Sequence, residues 1–574
     1  MVSHLGQLLA LKRLRNHISV SSGMILCYLL PLVIVGAVML LAAPLKDSSR
    51  LQPTDAFFFA MAAVTGSSLA TQKMSDLTTF QTLTLMFLML LGGRVFVLAL
   101  ELAYTRKFRL YESKNMIFPV RHGHEAENNR GREIEATGTH ILVQIQEEND
   151  SDVKNPLDPP SKVQSLNKHF QFESTDVRPL LRRRKMVSTS PARAYKSEGD
   201  VLTRIREQGW ISDNSKGLGI QLAFQGTQQN NGPEETQNDQ FQSQALKYFN
   251  YIVICYFTVV QLVGIISVII YLKTNPDSQK PLRERGINST LFSVFTTISS
   301  FANCGYVQVN EGLVPFQQSP GLLWLLVIQM GLGNTMFWPS VRLLTWGLSR
   351  LRMFTTGAHS RALQYILKNP QKFLPFGFKQ TMWIVVVEWG LNIVQLGCLS
   401  ALQWNTDVFQ GLTWTQKFST GVFQTFSSRT TGINVVNMVD LSPTIIFIYA
   451  FIMYIPSEAG LKQKWASSGK DDSNFLTRQI RRSLFQRSVA LLAITVVICI
   501  IENHNVVHDP LNFSILNMIF ETISAYGNVG LSVGYSCSLR MDNGACEDVP
   551  YSLSGKWSVA GKLLLLPLML LGRF

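Results

Sequence analysis

Residues 295–307 read FTTISSFANCGYV, a short amphipathic segment closing on Asn303, Cys304 and Gly305. It stands between two long apolar runs, 249–272 before it and 321–338 after it, neither with a charged residue. Runs of about 20 apolar residues match the thickness of a bilayer core. Backbone that is not helical survives at membrane depth only where it is buried in protein or lines water. The stretch therefore predicts a re-entrant loop, in which a glycine lets carbonyl oxygens face an ion instead of a helical neighbour.

The same unit can be read four times. The first copy has spans at 24–43 and 79–104 around FFFAMAAVTGSSLAT (57–71), which is too short and too rich in small residues to be a further full span. The second has 249–272, 295–307 and 321–344. The third has 380–402, FSTGVFQTFSSRTTGINV (418–435) and 444–455. The fourth has 488–501, ILNMIFETISAYGNVGLS (515–532) and 562–574. Internal repetition at this scale predicts an all-α polytopic membrane protein with four span–pore-loop–span repeats around one central pore. The expected divisions are 1–104 for the N-terminal segment and first repeat, 246–350 for the second, 351–456 for a linker and the third, and 457–574 for a linker and the fourth.

Residues 105–245 break the pattern. They carry both signs of charge, the run Arg182-Arg183-Arg184-Lys185, and a tail reading QGTQQNNGPEETQNDQFQSQ. Such a composition cannot bury enough apolar surface to offset its ordering entropy, so a mostly disordered cytoplasmic insertion is expected.

The formal charge of +14 invites a nucleic-acid reading. The basic residues gather instead in links between spans: 342–379 holds seven Lys/Arg and no acid, and 458–487 seven against three. That is positive-inside topology, with both termini cytoplasmic and the four loops outside, and no nucleic-acid partner is expected. The basic N-terminus, MVSHLGQLLALKRLRNHISV, runs into an apolar segment without an A-x-A-like cleavage site, which reads as a retained first span. The sequon at Asn288 would then be accessible for glycosylation.

Of seven cysteines, Cys27, Cys255, Cys398 and Cys499 sit in apolar spans as small hydrophobes. Cys537 and Cys546 flank a polar stretch and could pair in an extracellular loop. Glu502, His504, His508 and Asp509 have the look of a metal site, but Pro510 limits helix there, and a solvated loop is the better reading. With no nucleophile–base pairing, phosphate loop or dinucleotide fingerprint, no enzyme and no cofactor are expected. Arginine at every third position, the mark of a voltage sensor, is missing from the spans.

Four such loops around one axis would replace the water shell of a monovalent cation with carbonyl oxygens. The short helices before them would aim negative dipole ends inward. The central residues are Ser67, Gly305, Gly432 and Gly530, flanked by Gly66, Asn303, Cys304, Thr431, Asn528 and Val529.

FANCGYV, SSRTTGIN and AYGNVGLSVGYSC resemble the second, third and fourth pore loops of the HKT family of plant cation transporters, part of the Trk/Ktr/HKT superfamily. The resemblance covers all four repeats and leaves out 105–245. It implies a single chain similar to a potassium-channel tetramer, carrying Na⁺ or K⁺ across what is expected to be the plasma membrane, as a homodimer in the lipid bilayer. VTGSSLAT is similar to the family's TVSSMST and puts Ser67 at the position where serine accompanies Na⁺ selectivity, so Na⁺ is expected to be favoured, with K⁺ as a second permeant ion. Gly66 stands where the family usually has valine, and a register one residue earlier would bring Gly66 to the filter.

Arg573, in MLLGRF, resembles an arginine of the family's last span that acts as a barrier below the filter; the alternative is a side chain reaching to the membrane interface. Arg94 replaces a glutamate common in the family and reads as structural, with Glu101 two turns on along the same face. Glu388 is either cavity-lining or a buried partner, and Arg429 reads as a brace for the third loop. A competing reading is a membrane-anchored receptor or scaffold acting through 105–245, but an anchor has no use for four glycine-bearing loops.

Overall fold

The structure is a computed structural model and describes residues 20–47, 49–116, 233–334, 336–351, 358–369, 373, 378–455, 473–540 and 546–573. Among these the regular structure is helical, apart from one isolated antiparallel bridge between Tyr535 and Val549. The chain begins with α1 (Val20–Ala42), α2 (Pro53–Thr65), α3 (Thr79–Gly92) and α4 (Arg94–Met116). There follow α5 (Pro233–Thr274), α6 (Pro276–Glu284), α7 (Ser289–Ala302), α8 (Pro320–Gly333) and α9 (Phe337–Arg350). Then come α10 (Ala358–Lys368), α11 (Phe378–Gln403), α12 (Trp414–Thr430) and α13 (Pro443–Tyr454). The last are α14 (Ser473–Ile501), α15 (Asn503–His508), α16 (Ile515–Gly527) and α17 (Val559–Arg573).

Local chemistry sets several of these boundaries. Thr78 and Thr413 close capping boxes with Gln81 and Gln416, each three residues on. Asn288 and Ser514 cap α7 and α16 with side-chain oxygens. Proline opens α2, α8 and α13, where its missing N–H costs nothing.

Burial is inverted relative to a bundle in water. On α11, Trp383, Val386 and Ile393 are 65%, 61% and 65% exposed, while Thr296, Thr297, Ser299 and Ser300 of α7 are completely buried. An apolar exterior, with polar side chains kept inside, suits lipid as the solvent. Three described helices are long and apolar enough to span a bilayer, or five if each bent pair counts as one. The chain is a multi-pass membrane protein.

Two expected spans are not straight. Residues 79–104 form α3 and α4, which meet at 50°, and 321–344 form α8 and α9, at 80°. At the first break Gly93 has φ −55° and ψ 141°, which ends the helical ladder. Of the expected insertion at 105–245, residues 117–232 lie outside the described residues; α4 enters it as far as Met116 and α5 begins at Pro233.

The short helices α2, α7, α12 and α16 are each packed by the helix that follows, and also by one from a neighbouring segment. α3 packs on α7, α8 on α12, α13 on α16, and α17 returns to α2. These contacts run in a cycle. One apolar cluster joins the beginning and end of the chain through Phe59, Leu88, Met518 and Leu565. A second joins the middle through Leu326, Phe423 and Ile446, and a third gathers Phe249, Phe337 and Trp338.

Candidate functional site

The four short helices end alike. Ser67, Cys304, Gly432 and Val529 each donate their backbone N–H five residues back, to Ala62, Ser299, Ser427 and Ser524, at 2.8, 3.0, 2.8 and 3.1 Å. This is a Schellman-type closure, which needs a left-handed residue at the turn. Gly66, Asn303 and Asn528 supply it with φ of 81°, 53° and 51°. In the third loop Thr431 has φ −108°, and the left-handed residue is Gly432 itself, with φ 68°.

By this closure Ser67 stands level with Cys304, Gly432 and Val529, and Ser68 follows it as Gly305 follows Cys304 and Gly530 follows Val529. Ser68, one residue beyond the expected Ser67, is also the residue that touches the glycines. Its hydroxyl donates to the carbonyl oxygens of Thr431 and Val529, at 3.1 and 3.2 Å. Ser67 is buried, and its Oγ finds no hydrogen-bond partner among the described residues. Gly66, the other alternative, is the turn residue that ends α2.

The glycines are required by close approach. A Cβ at Gly305 would lie 1.7 Å from the Thr431 oxygen, and one at Gly530 would lie 2.0 Å from the Ser68 nitrogen. At Gly432 it would meet the Val529 oxygen at 2.3 Å. Ser68, Gly305, Gly432 and Gly530 together line a cavity of ≈ 40 Å³. Asn310, Asn434, Pro550 and Tyr551 line this cavity and also a second one of ≈ 470 Å³, which Glu311 and Asp548 line as well. Burial pushes the Tyr551 phenol up to about 12, so it is neutral at ordinary pH.

The flanking residues lock the loops together. Tyr306 donates its hydroxyl to the Leu69 carbonyl at 2.9 Å, tying the second loop to the first. Cys304 is buried with its thiol 3.8 Å from the Ala62 oxygen. Asn303 turns its amide back to Phe301 at 3.2 Å, and both polar side-chain atoms of buried Asn528 have no partner among the described residues.

A sequence-family model described as TrkH, a cation transport protein, matches residues 223–574. The chain belongs to the TrkH family. Among curated proteins it is 35% identical over 338 residues to the sodium transporter HKT1 of Arabidopsis thaliana, covering 56% of this chain and 65% of that protein. It is 27% identical over 540 residues to the cation transporter HKT1;3 of Oryza sativa subsp. japonica, covering 92% of this chain and 84% of that one. Among solved structures it is similar to the potassium transporter TrkH of Vibrio parahaemolyticus, with a TM-score of 0.42 at 12% identity, covering 97% of this chain and 84% of that one.

In this TrkH-family chain the charged residues take specific places. Arg573 donates to the carbonyl oxygens of Thr65, at 3.4 Å, and of Gly92, which end α2 and α3. A guanidinium there satisfies carbonyls that the helices leave open. Arg94 donates to Asn334 Oδ1 at 3.0 Å, bridging the breaks of the two bent pairs. Glu388 proves to be a buried partner: its Oε1 accepts from Arg429 Nε at 2.7 Å. Cys537 and Cys546 are disulfide-bonded, and Lys73 pairs with Glu547 beside them. The Glu547 carboxyl is held below the usual carboxylate range by its hydrogen bond to Lys73.

Two buried carboxylates escaped the sequence reading. Asp55, 1% exposed at the start of α2, pairs with Lys562 of α17 at 3.0 Å and accepts from Gln72 at 3.2 Å. A lysine at the head of the apolar run VAGKLLLL was the available signal. Glu521 of α16 is fully buried; its Oε1 accepts from the Ser552 hydroxyl at 2.6 Å and the Ser554 N–H at 2.9 Å. Between them Leu553 donates to Ser532 Oγ at 2.8 Å, two residues past Gly530. Nothing in the local pattern FETIS distinguishes that carboxylate from a solvated one. Glu502 Oε1 accepts from the Ser558 N–H and hydroxyl, at 2.8 and 2.6 Å, ahead of α17.

Proposed function

We propose that this chain carries monovalent cations through a selectivity filter built from four re-entrant loops, with Na⁺ the preferred ion and K⁺ sharing the path. The observation that carries the reading is the meeting of Ser68 with Thr431 and Val529, the residues immediately before Gly432 and Gly530. Residues more than 360 apart in sequence converge there. The cyclic packing of α3, α8, α13 and α17 supports four repeats around one axis, and the short helices then point their negative ends at it.

The Na⁺ preference follows from what Ser68 occupies. Its hydroxyl is bonded to two of the carbonyls that a dehydrated K⁺ would need. K⁺ sheds water more cheaply than Na⁺, but needs a full set of oxygens in return. Na⁺, smaller and able to keep some water, is hurt less. The name of the sodium transporter HKT1 fits this direction.

The protein would work as a homodimer in the plasma membrane, with both termini cytoplasmic and Arg573 raising a barrier below the filter. Two-electrode recording with outside Na⁺ and K⁺ varied separately tests the reading. Currents whose reversal follows Na⁺ are expected; no cation current at normal surface expression would overturn it.

A further inference from the structure

The histidine pair set aside as loop stands on a helix. α15 spans Asn503–His508 and ends just before Pro510, so His504 and His508 fall one turn apart on one face. Both side chains are exposed, and their rings stack with centroids 4.1 Å apart at 17°. His508 Nδ1 lies 2.8 Å from the His504 carbonyl oxygen. A carbonyl only accepts, so Nδ1 carries the proton and the Nε2 lone pair is left for another partner. Metal-binding histidines are oriented in this way, with the second ring nitrogen donating to a backbone carbonyl.

We propose that His504 and His508 form a surface site for a borderline divalent transition-metal ion, such as Ni²⁺, Zn²⁺ or Cu²⁺. Imidazole nitrogens suit these ions and not Mg²⁺ or Ca²⁺, which take oxygen ligands. Turning the side chains out of the stacked pose, which two exposed rings one helical turn apart are free to do, would bring a ring nitrogen of each to one ion. No third His, Cys, Asp or Glu joins the pair among the described residues, so water completes the coordination. Next along the chain, Asp509 holds Asn512 at 3.0 Å, and Asn512 holds the Ser536 backbone at 2.9 and 3.0 Å. The helix that would carry the ion is thus tied to the wall of the larger cavity, which Ser536 lines. The site does not depend on the transport reading.

The test is calorimetric titration of the purified, chelator-stripped full-length protein with NiCl₂ and with ZnCl₂, beside His504→Gln, His508→Gln and the double variant. Removal of one of two ligands should weaken the site at least about tenfold. The double variant should bind one ion fewer per chain than the wild type. Affinity should rank Cu²⁺ above Ni²⁺ and Zn²⁺, and these above Mn²⁺, with no heat from Mg²⁺. Unchanged cation currents in both single variants would show that the fold is intact. Equal stoichiometry and affinity in the wild type and the double variant would overturn the proposal.

Discussion

Arg429 donates from Nε to Glu388 Oε1 at 2.7 Å, with the two side chains only 6% and 10% exposed. Arg429 lies in the last turn of α12, two residues before Thr431, so its charge stands beside the third loop. Glu388 cancels that charge across from α11. Removing one member of a buried pair leaves the other uncompensated, at a cost of about 3–5 kcal/mol. Glu388→Gln should therefore lower the melting temperature of detergent-solubilised protein clearly, and Glu388→Leu with Arg429→Met should recover much of the loss. A Glu388→Gln protein as stable as the wild type would place the pair among surface-like contacts.

The glycines give a sharper expectation. At Gly530 a methyl group would sit 2.0 Å from the Ser68 nitrogen, and φ of 79° is unfavourable for any residue with a Cβ. Gly530→Val and Gly432→Val should cut cation flux by on the order of tenfold or more, equivalent to ≥ ~1.4 kcal/mol in a barrier. Surface labelling should remain near normal. Ordinary flux in either variant would exclude the four-loop pore.

Glu521 should act as a brace between α16 and residues 552–554. Glu521→Gln keeps an oxygen for Ser552 and Ser554, whereas Glu521→Ala leaves their donors buried and unpaired, at about 1–3 kcal/mol. Thermal unfolding should thus order wild type and Gln together, well above Ala. Equal loss in both would assign the effect to charge.

Arg573 caps two helix ends and carries a full charge. Arg573→Gln retains hydrogen-bond donors for the Thr65 and Gly92 carbonyls while removing that charge, so conductance should rise or rectification weaken. A current–voltage curve identical to the wild type would leave Arg573 with the capping role alone.

Much of this was legible in the chain itself. Residues 295–307 and 515–532 could be placed because a short amphipathic segment with a glycine after it has few homes at membrane depth. The bends after Gly92 and Gly333 could not, since an apolar run reads the same whether straight or broken. Those breaks depend on close tertiary contact: a Cβ on Gly333 would meet the Phe301 oxygen at 1.9 Å. The proposed shift of the first-loop filter residue from Ser67 to Ser68 has a related reason. Two adjacent serines offer the same side chain, and the contacts of the Ser68 hydroxyl with Thr431 and Val529 join loops that are far apart in sequence. Asp55 and Lys562 are 507 residues apart, a distance over which no sequence periodicity reaches.

The central claim is that Ser68 completes the ring formed with Gly305, Gly432 and Gly530, and by its hydroxyl disfavours K⁺. Reversal potentials under paired Na⁺ and K⁺ gradients, measured for Ser68→Gly and Ser67→Gly, test it most directly. The account predicts that Ser68→Gly raises the K⁺/Na⁺ permeability ratio and that Ser67→Gly leaves it unchanged. A ratio that moves with Ser67→Gly and not with Ser68→Gly would contradict it.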